Sequence, residues 1–225
     1  MDKIILQADN LFKSYNNGEL SLLVLNDLSI KVKQNEIVTI TGQSGSGKST
    51  LLNVLGTLDN PDSGIVEIDG LDIINLDKEY LAKIRNQKIG FVFQFHHLLT
   101  EFTALENVLI PVWIKGPIDN KKEDAIKLFE KLNLSSKLNY FPNQLSGGER
   151  SRIALIRGII NTPSILFADE PTGNLDKKNA VIMIDLLKEI NIDYDQTIII
   201  TTHNPDVAGI GHSKYKLENG FLTIK

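Results

Sequence analysis

The chain contains no cysteine, which excludes disulfides, thiolate zinc centres and cysteine nucleophiles and fits a reducing compartment. Long apolar runs are missing too. No stretch approaches the roughly 18 to 20 residues that a membrane-crossing helix needs. The opening Met1-Asp2-Lys3-Ile4-Ile5-Leu6 gives way at once to polar Gln7, Asp9 and Asn10, unlike a secretory leader. A cytosolic location is therefore expected, with membrane attachment made only through a partner. Positive charge is in deficit: 24 Lys and Arg against 28 Asp and Glu leave a net charge of -4, so composition makes no electrostatic case for a nucleic-acid partner. Internal repeats, low-complexity tracts and linkers are also lacking. With 42% hydrophobic and 23% charged residues, composition argues against wholesale disorder, and residues 1–225 read as a single domain.

What is present alternates between two periods. Short apolar runs bounded by turn residues predict strands over residues 4–6, 28–32, 37–41, 65–68, 89–93, 165–168 and 197–201. Several are almost wholly apolar, as in strands buried on both faces of a largely parallel sheet. Asn219-Gly220, set between Tyr215-Lys216-Leu217 and Phe221-Leu222-Thr223-Ile224, predicts a hairpin. Apolar residues three and four apart predict helices over residues 48–55, 77–86, 119–132, 146–160 and 177–190. Thr103-Ala104-Leu105-Glu106 has capping-box spacing, so another helix is expected to start there. Alternating strands and helices define the α/β class. Between about residues 95 and 161 the strand signal disappears, which predicts a helical insertion in that core.

Gly42-Gln43-Ser44-Gly45-Ser46-Gly47-Lys48-Ser49 satisfies the P-loop pattern in full, after an apolar strand and before a helical stretch. Glycines let consecutive N–H groups curl around phosphates at a positive helix end. Lys48 then reaches the β- and γ-phosphates, and the Ser49 hydroxyl takes a place on Mg²⁺. Residues 165–168 form an apolar strand that carries Asp169 and Glu170 out at its C-terminal edge, where α/β sheets place ligands. Acids at strand ends are commonly solvated turn residues, and the pair gains its weight from the P-loop beside it. Ser146-Gly147-Gly148-Glu149 has the spacing of a capped helix start. Capping accounts for Ser146 and Glu149 but not for two glycines, which cost helix propensity. Bare backbone there lets a phosphate approach the helix end.

The P-loop, Gln94, the serine-diglycine turn, Asp169-Glu170 and Thr202-His203 stand in one fixed order, and the set resembles the ATP-binding cassette ATPases over essentially the whole chain. That resemblance implies a RecA-like P-loop core with an antiparallel β subdomain and a helical insertion. It implies ATP and Mg²⁺ as the bound pair, with Thr50 extending the nucleotide contacts of Gly42, Ser44, Gly45, Ser46, Gly47, Lys48 and Ser49. By position it implies that Asp169 and Gln94 join Ser49 at Mg²⁺, that Glu170 orients or deprotonates the attacking water, and that His203 contacts the γ-phosphate. Tyr15 lies where the family stacks a ring on adenine. Ser146, Gly147 and Gly148 match the signature that touches the γ-phosphate held by the opposite subunit, and Asp176 the loop that crosses that interface, so a second copy or a homologous partner is implied. Glu149 stands where glutamine is usual and Ser151 interrupts the usual run before Arg152, which touches the tuning of nucleotide affinity.

Pro171-Thr172-Gly173-Asn174-Leu175-Asp176 resembles the form shared by lipoprotein-releasing, macrolide-efflux and cell-division ATPases. Phe95 after Gln94, followed by Phe102-Thr103-Ala104-Leu105-Glu106-Asn107, is most similar to the lipoprotein-releasing branch, although Thr100 replaces a proline often seen there. The resemblance implies a subunit on the cytoplasmic face of the inner membrane, driving integral membrane subunits that handle the lipoprotein. Efflux and a non-transporting role in cell division stay open as alternatives, while acidity disfavours a cassette acting on nucleic acid. His96 and His97 lack a cluster of ligands, and with Phe95 and Phe102 they suggest docking or packing rather than a metal site.

Overall fold

The computed structural model describes residues 3–18, 20–116 and 121–225. Its strands form two sheets. In the first, β1 (Ile4–Asn17) lies between β2 (Leu20–Lys33) and β4 (Ser63–Ile68), with β5 (Leu71–Asp72) outside β4, all antiparallel. The second is built on β3 (Ile37–Thr41), β6 (Ile89–Val92), β7 (Ile165–Asp169), β8 (Thr197–Thr202), β9 (Ser213–Glu218) and β10 (Phe221–Ile224). Its order is β10-β9-β3-β8-β7-β6, parallel throughout except for the β9–β10 hairpin.

Alternation within single strands divides the core. Ile165 and Phe167 of β7 pack with the antiparallel sheet and with α1 (Lys48–Leu55). Leu166 and Ala168 of the same strand pack with α3 (Ala104–Lys115), α4 (Lys121–Lys131), α5 (Gly147–Ile159) and α6 (Lys177–Asp193). Residues that all seem apolar in sequence thus serve two opposite faces. The remaining helices are α2 (Lys78–Lys88), capped by Asp77, and α7 (Pro205–Gly209), capped by Asn204. Between β6 and β7 the described residues hold α3, α4 and α5 and no strand.

Two expectations need correction. The first strand does not stop at residue 6, nor does the second begin at 28, because both run far into a long antiparallel ribbon. Its alternation is broken in sequence by Asn10 and Asp27, which sit at φ +52° and +51° beside register shifts, their side chains joined at 2.8 Å. Bulges of this kind add a residue and reverse the in/out pattern, which defeats a period-two reading. α7 is too short to show a helical period. The expected start of a helix at Asp119 lies outside the described residues, and α4 is seen from Lys121.

α3 begins with a full capping box between Thr103 and Glu106. One turn on, fully buried Asn107 holds the preceding loop from inside: its Oδ1 accepts from Leu99 N–H at 2.8 Å, and its Nδ2 faces the carbonyls of Leu99, Phe102 and Thr103 at 2.9 to 3.0 Å. Replacing Asn107 with alanine leaves these part-buried groups without their partner. Asn107→Ala is expected to lower unfolding free energy by about 2–3 kcal/mol in urea titration; a loss under about 0.5 kcal/mol would show that the loop does not depend on it.

Candidate functional site

The P-loop spans the gap from β3 to α1. Its turn needs φ +79° at Gly45 and +97° at Gly47, a region that side-chain-bearing residues rarely occupy. At Gly47 a Cβ would also press within 2.8 Å of Val24. No side chain caps α1, so its first N–H groups are left for an anion. Buried Lys48 donates from Nζ to the carbonyls of Gly42 and Gln43, each at 2.9 Å, and its nearest carboxylate oxygen, Glu170 Oε1, is 4.0 Å away. Uncapped donors and a buried cation held mainly by carbonyls fit a polyphosphate.

β7 and β8 deliver the acids opposite this loop. Their register pairs Asp169 with Thr201, whose hydroxyl donates to Asp169 Oδ1 at 2.6 Å. The next residue, Glu170, turns out of the strand at φ +45° and is almost fully buried. Its Oε2 accepts from the Thr202 hydroxyl and the His203 N–H, both at 3.2 Å, while Oε1 lies 2.8 Å from His203 Nδ1. Two donors and the His203 ring, all at the end of β8 or just past it, therefore hold this carboxylate. His203 itself is largely exposed.

A cavity of about 620 Å³ lies between the loop and the strand ends, lined by Tyr15, Ser44, Gly45, Gly47, Lys48, Ser49, Thr50, Gln94, Glu170 and His203. All ten are expected from sequence, and Val24 of β2 is the one lining residue that is not. Gly42, Ser46 and Asp169 stand beside or behind this wall, Gly42 through its bond to Lys48. The donor set, one hydroxyl at the start of α1 with carboxylates at a strand end, also suits a hard divalent cation. Gln94 is turned aside: its Nε2 donates to Asn174 Oδ1 at 3.3 Å, and Asn174 Nδ2 returns a bond to the Gln94 carbonyl at 2.9 Å.

Ser146, Gly147, Gly148 and Asp176 do not line the cavity. Exposed Ser146 caps α5, its Oγ accepting from Glu149 N–H at 3.3 Å and its N–H donating to Glu149 Oε2 at 2.7 Å. Exposed Asp176 caps α6 through Asn179 N–H at 2.8 Å, a bond that holds its carboxyl below the usual range. The two glycines differ. A Cβ on Gly148 would collide with the Asn179 carboxamide, whereas one on Gly147 would meet nothing. Packing against α6 therefore explains Gly148, and no contact among the described residues explains Gly147.

Arg157 is a residue that sequence reasoning missed. Its guanidinium donates to the carbonyls of His96 at 2.6 Å and His97 at 2.7 Å, clamping two consecutive residues with φ +41° and +47°. Burial pushes this guanidinium below its ordinary range. Burial, with Arg150 and Arg157 nearby, likewise lowers the His96 imidazole. Asn174, Asn179 and Arg157 are polar residues of ordinary appearance in sequence, and only Asn179, three residues after a cap, carries a local signal.

A glycine-rich loop at the edge of a parallel sheet, facing a lysine and two strand-end acids, defines a P-loop nucleoside triphosphatase. The chain belongs to the ABC transporter family, whose model matches residues 25–173, and it is an ATP-hydrolysing cassette for which Mg²⁺ is the general cofactor. It is 46% identical over 204 residues to the lipoprotein-releasing system ATP-binding protein LolD of Buchnera aphidicola, covering 90% of this chain and 89% of that one. With the protein of the same name from Treponema pallidum it shares 44% identity over 99% of both chains. Among solved structures it is similar to the ATP-binding cassette MJ0796, a dimer in a post-hydrolysis state bound to ADP and Pi, with TM-score 0.91 and 37% identity over 98% of both chains.

The difference between the two glycines is measurable. Gly148→Ala is expected to cost about 1–3 kcal/mol of unfolding free energy through overpacking, and Gly147→Ala to change it by under about 0.5 kcal/mol. Equal effects in thermal or urea unfolding would refute the packing account.

Proposed function

We propose that this chain is the ATPase subunit of a lipoprotein-releasing ABC transporter, bound peripherally at the cytoplasmic face of the inner membrane and working as a pair of copies. The observation that carries the reading is the cavity shared by Lys48, Glu170 and His203, with the serine-diglycine turn lying outside that cavity and its Ser146 exposed. The names of the full-length relatives support lipoprotein release as the task, and the dimeric state of the similar cassette supports the pairing.

In this proposal Lys48 exchanges the Gly42 and Gln43 carbonyls for the β- and γ-phosphate oxygens, and the N–H groups of Gly45 to Ser49 cradle the same phosphates. Ser49 and Asp169 hold Mg²⁺, with the Gln94 amide available to it, and the ion supplies charge against the phosphate oxygens. Glu170 orients the attacking water and accepts its proton, and His203 keeps that carboxylate aligned while facing the γ-phosphate. Tyr15 stacks on the base, and Ser44, Ser46 and Thr50 complete the nucleotide contacts. Ser146, Gly147 and Gly148 of a second copy close over the γ-phosphate, which gives unpacked Gly147 its reason, and Asp176 lies at the junction. The bond between Gln94 and Asn174 then breaks and re-forms with each cycle.

The integral membrane subunits dock beside Gln94. Phe95 is 69% exposed and Phe102 36% exposed on the loops that Arg157 and Asn107 pin, and a groove of about 370 Å³ that Arg157 also lines is walled by Phe91, Phe93, Pro111 and Ile114. Exposed aromatics on a fixed backbone are the usual anchors of such an interface. No described helix is long and apolar enough to cross a membrane. In this proposal the lipoprotein is handled by the integral membrane partners.

Three outcomes test these roles. Folded Lys48→Ala is expected to lose most MgATP affinity and turnover. Glu170→Gln is expected to slow hydrolysis by roughly 10²-fold or more while keeping ATP, and to accumulate as an ATP-bound dimer on size exclusion. Adding Ser146→Arg should return it to monomer, whereas a Glu170→Gln protein that binds ATP and never pairs contradicts the shared site. Polar substitution of Phe95 and Phe102 together should leave basal ATPase near wild type but abolish co-purification with membrane subunits and lipoprotein release from reconstituted vesicles; unchanged release would remove the docking assignment.

A further inference from the structure

Tyr15 shows its ring to the cavity, yet its hydroxyl is already committed elsewhere. Its Oη donates to Asp59 Oδ2 at 2.8 Å. Asp59 sits in the turn that follows α1, so this bond ties the far end of β1 to the helix that the P-loop begins. The other Asp59 oxygen accepts from Lys13 Nζ at 2.9 Å and from the Asn60 N–H at 2.8 Å, and Lys13 Nζ donates again to the Asn60 carbonyl at 2.7 Å. The same ammonium stands 5.1 Å from the centre of the Tyr15 ring. Tyr15 lines the cavity and Lys13 does not, which leaves the ring's other face to the cavity. Burial raises the Tyr15 phenol, with Asp59 adding to the rise and Thr50 and Lys13 opposing it. Burial also pushes Asp59 up, but the bonds from Lys13, Tyr15 and Asn60 outweigh it and the carboxyl stays below its usual range.

We infer that Asp59, buttressed by Lys13, is a positioning residue for base recognition, holding Tyr15 by its hydroxyl so that only a flat ring face is offered to the nucleotide. This rests on Tyr15 being the ring that stacks on the base. A phenol tied at its far end cannot swing about its Cα–Cβ bond, and a stacking surface fixed beforehand loses less entropy when the ligand arrives. The purpose of the network is then separable from that of the P-loop. It acts on ligands that carry a base and is silent toward bare phosphate chains.

The experiment measures affinity by calorimetry on the full chain for two probes, MgATP and magnesium tripolyphosphate. Asp59→Ala is expected to weaken MgATP about three- to tenfold, the scale of one aromatic stacking contact, and to leave tripolyphosphate unchanged. Tyr15→Phe removes the donor instead of the acceptor and should give the same result, and the double variant should be no worse than either alone. Should Asp59→Ala fail to fold, Tyr15→Phe with Lys13→Met carries the same test. If Tyr15→Ala weakens MgATP and Asp59→Ala does not, the ring stacks without Asp59 and the inference is overturned. Equal losses on both probes would assign Asp59 to the phosphate loop and overturn it as well. MgATP binding that is indifferent to Tyr15→Ala would remove the stacking reading on which it rests.

Discussion

The parallel register of β3, β8 and β7 is the constraint on which the rest depends. It aligns Thr41 with Thr202 and Asp169 with Thr201, so three chain segments far apart in sequence leave the sheet at one edge. The P-loop, the Asp169-Glu170 pair and His203 are what those three strands release. Because the strands are buried on both faces, a slip of one residue would exchange the apolar sets that serve two cores, and the register is held by burial on both sides. The chemistry at the edge inherits that rigidity. Glu170 is held by the Thr202 hydroxyl at the end of β8 and by the backbone N–H and ring of His203 immediately after it.

Around this rigid edge the polar contacts are of a different kind. Gln94 is held to Asn174 by two bonds between amides, and the backbone after it is clamped by Arg157 through carbonyls only. Amide bonds at a solvent-accessible surface exchange with water at little net cost, so the Gln94–Asn174 pair can change partners, while the buried guanidinium of Arg157 keeps the backbone after it fixed. α5 carries the exposed Ser146 cap at one end and Arg157 at the other.

Much of this was legible in sequence where chemistry fixes residue type. Only glycine suits Gly45 and Gly47, only a cation serves at Lys48, and acids at the end of an apolar strand can face a ligand, so these could be named from chemistry, whereas Tyr15, Thr50, Gln94 and His203 were named from the family resemblance. Legibility failed where a residue's reason lies across the fold. Gly148 looked as if it called for a ligand, yet a Cβ there would meet the Asn179 carboxamide of another helix. Gln94 gave no hint that Asn174 holds it, and Tyr15 none that Asp59 does. The long antiparallel ribbon was hidden by Asn10 and Asp27, whose left-handed backbone shifts the alternation that marks a strand. Periodicity reports local pattern, and these features are set by contacts between distant segments.

The central claim is that one chain holds half of each hydrolytic site, because its serine-diglycine turn lies outside the cavity that its own Lys48 and Glu170 share. The most direct test is the MgATP hydrolysis rate per chain, measured on the purified protein over a wide range of protein concentration. A site shared between copies predicts a rate per chain that rises with concentration and levels off as the paired form saturates. A rate per chain that stays constant down to the most dilute sample would mean that a single copy completes the site, and would contradict the account.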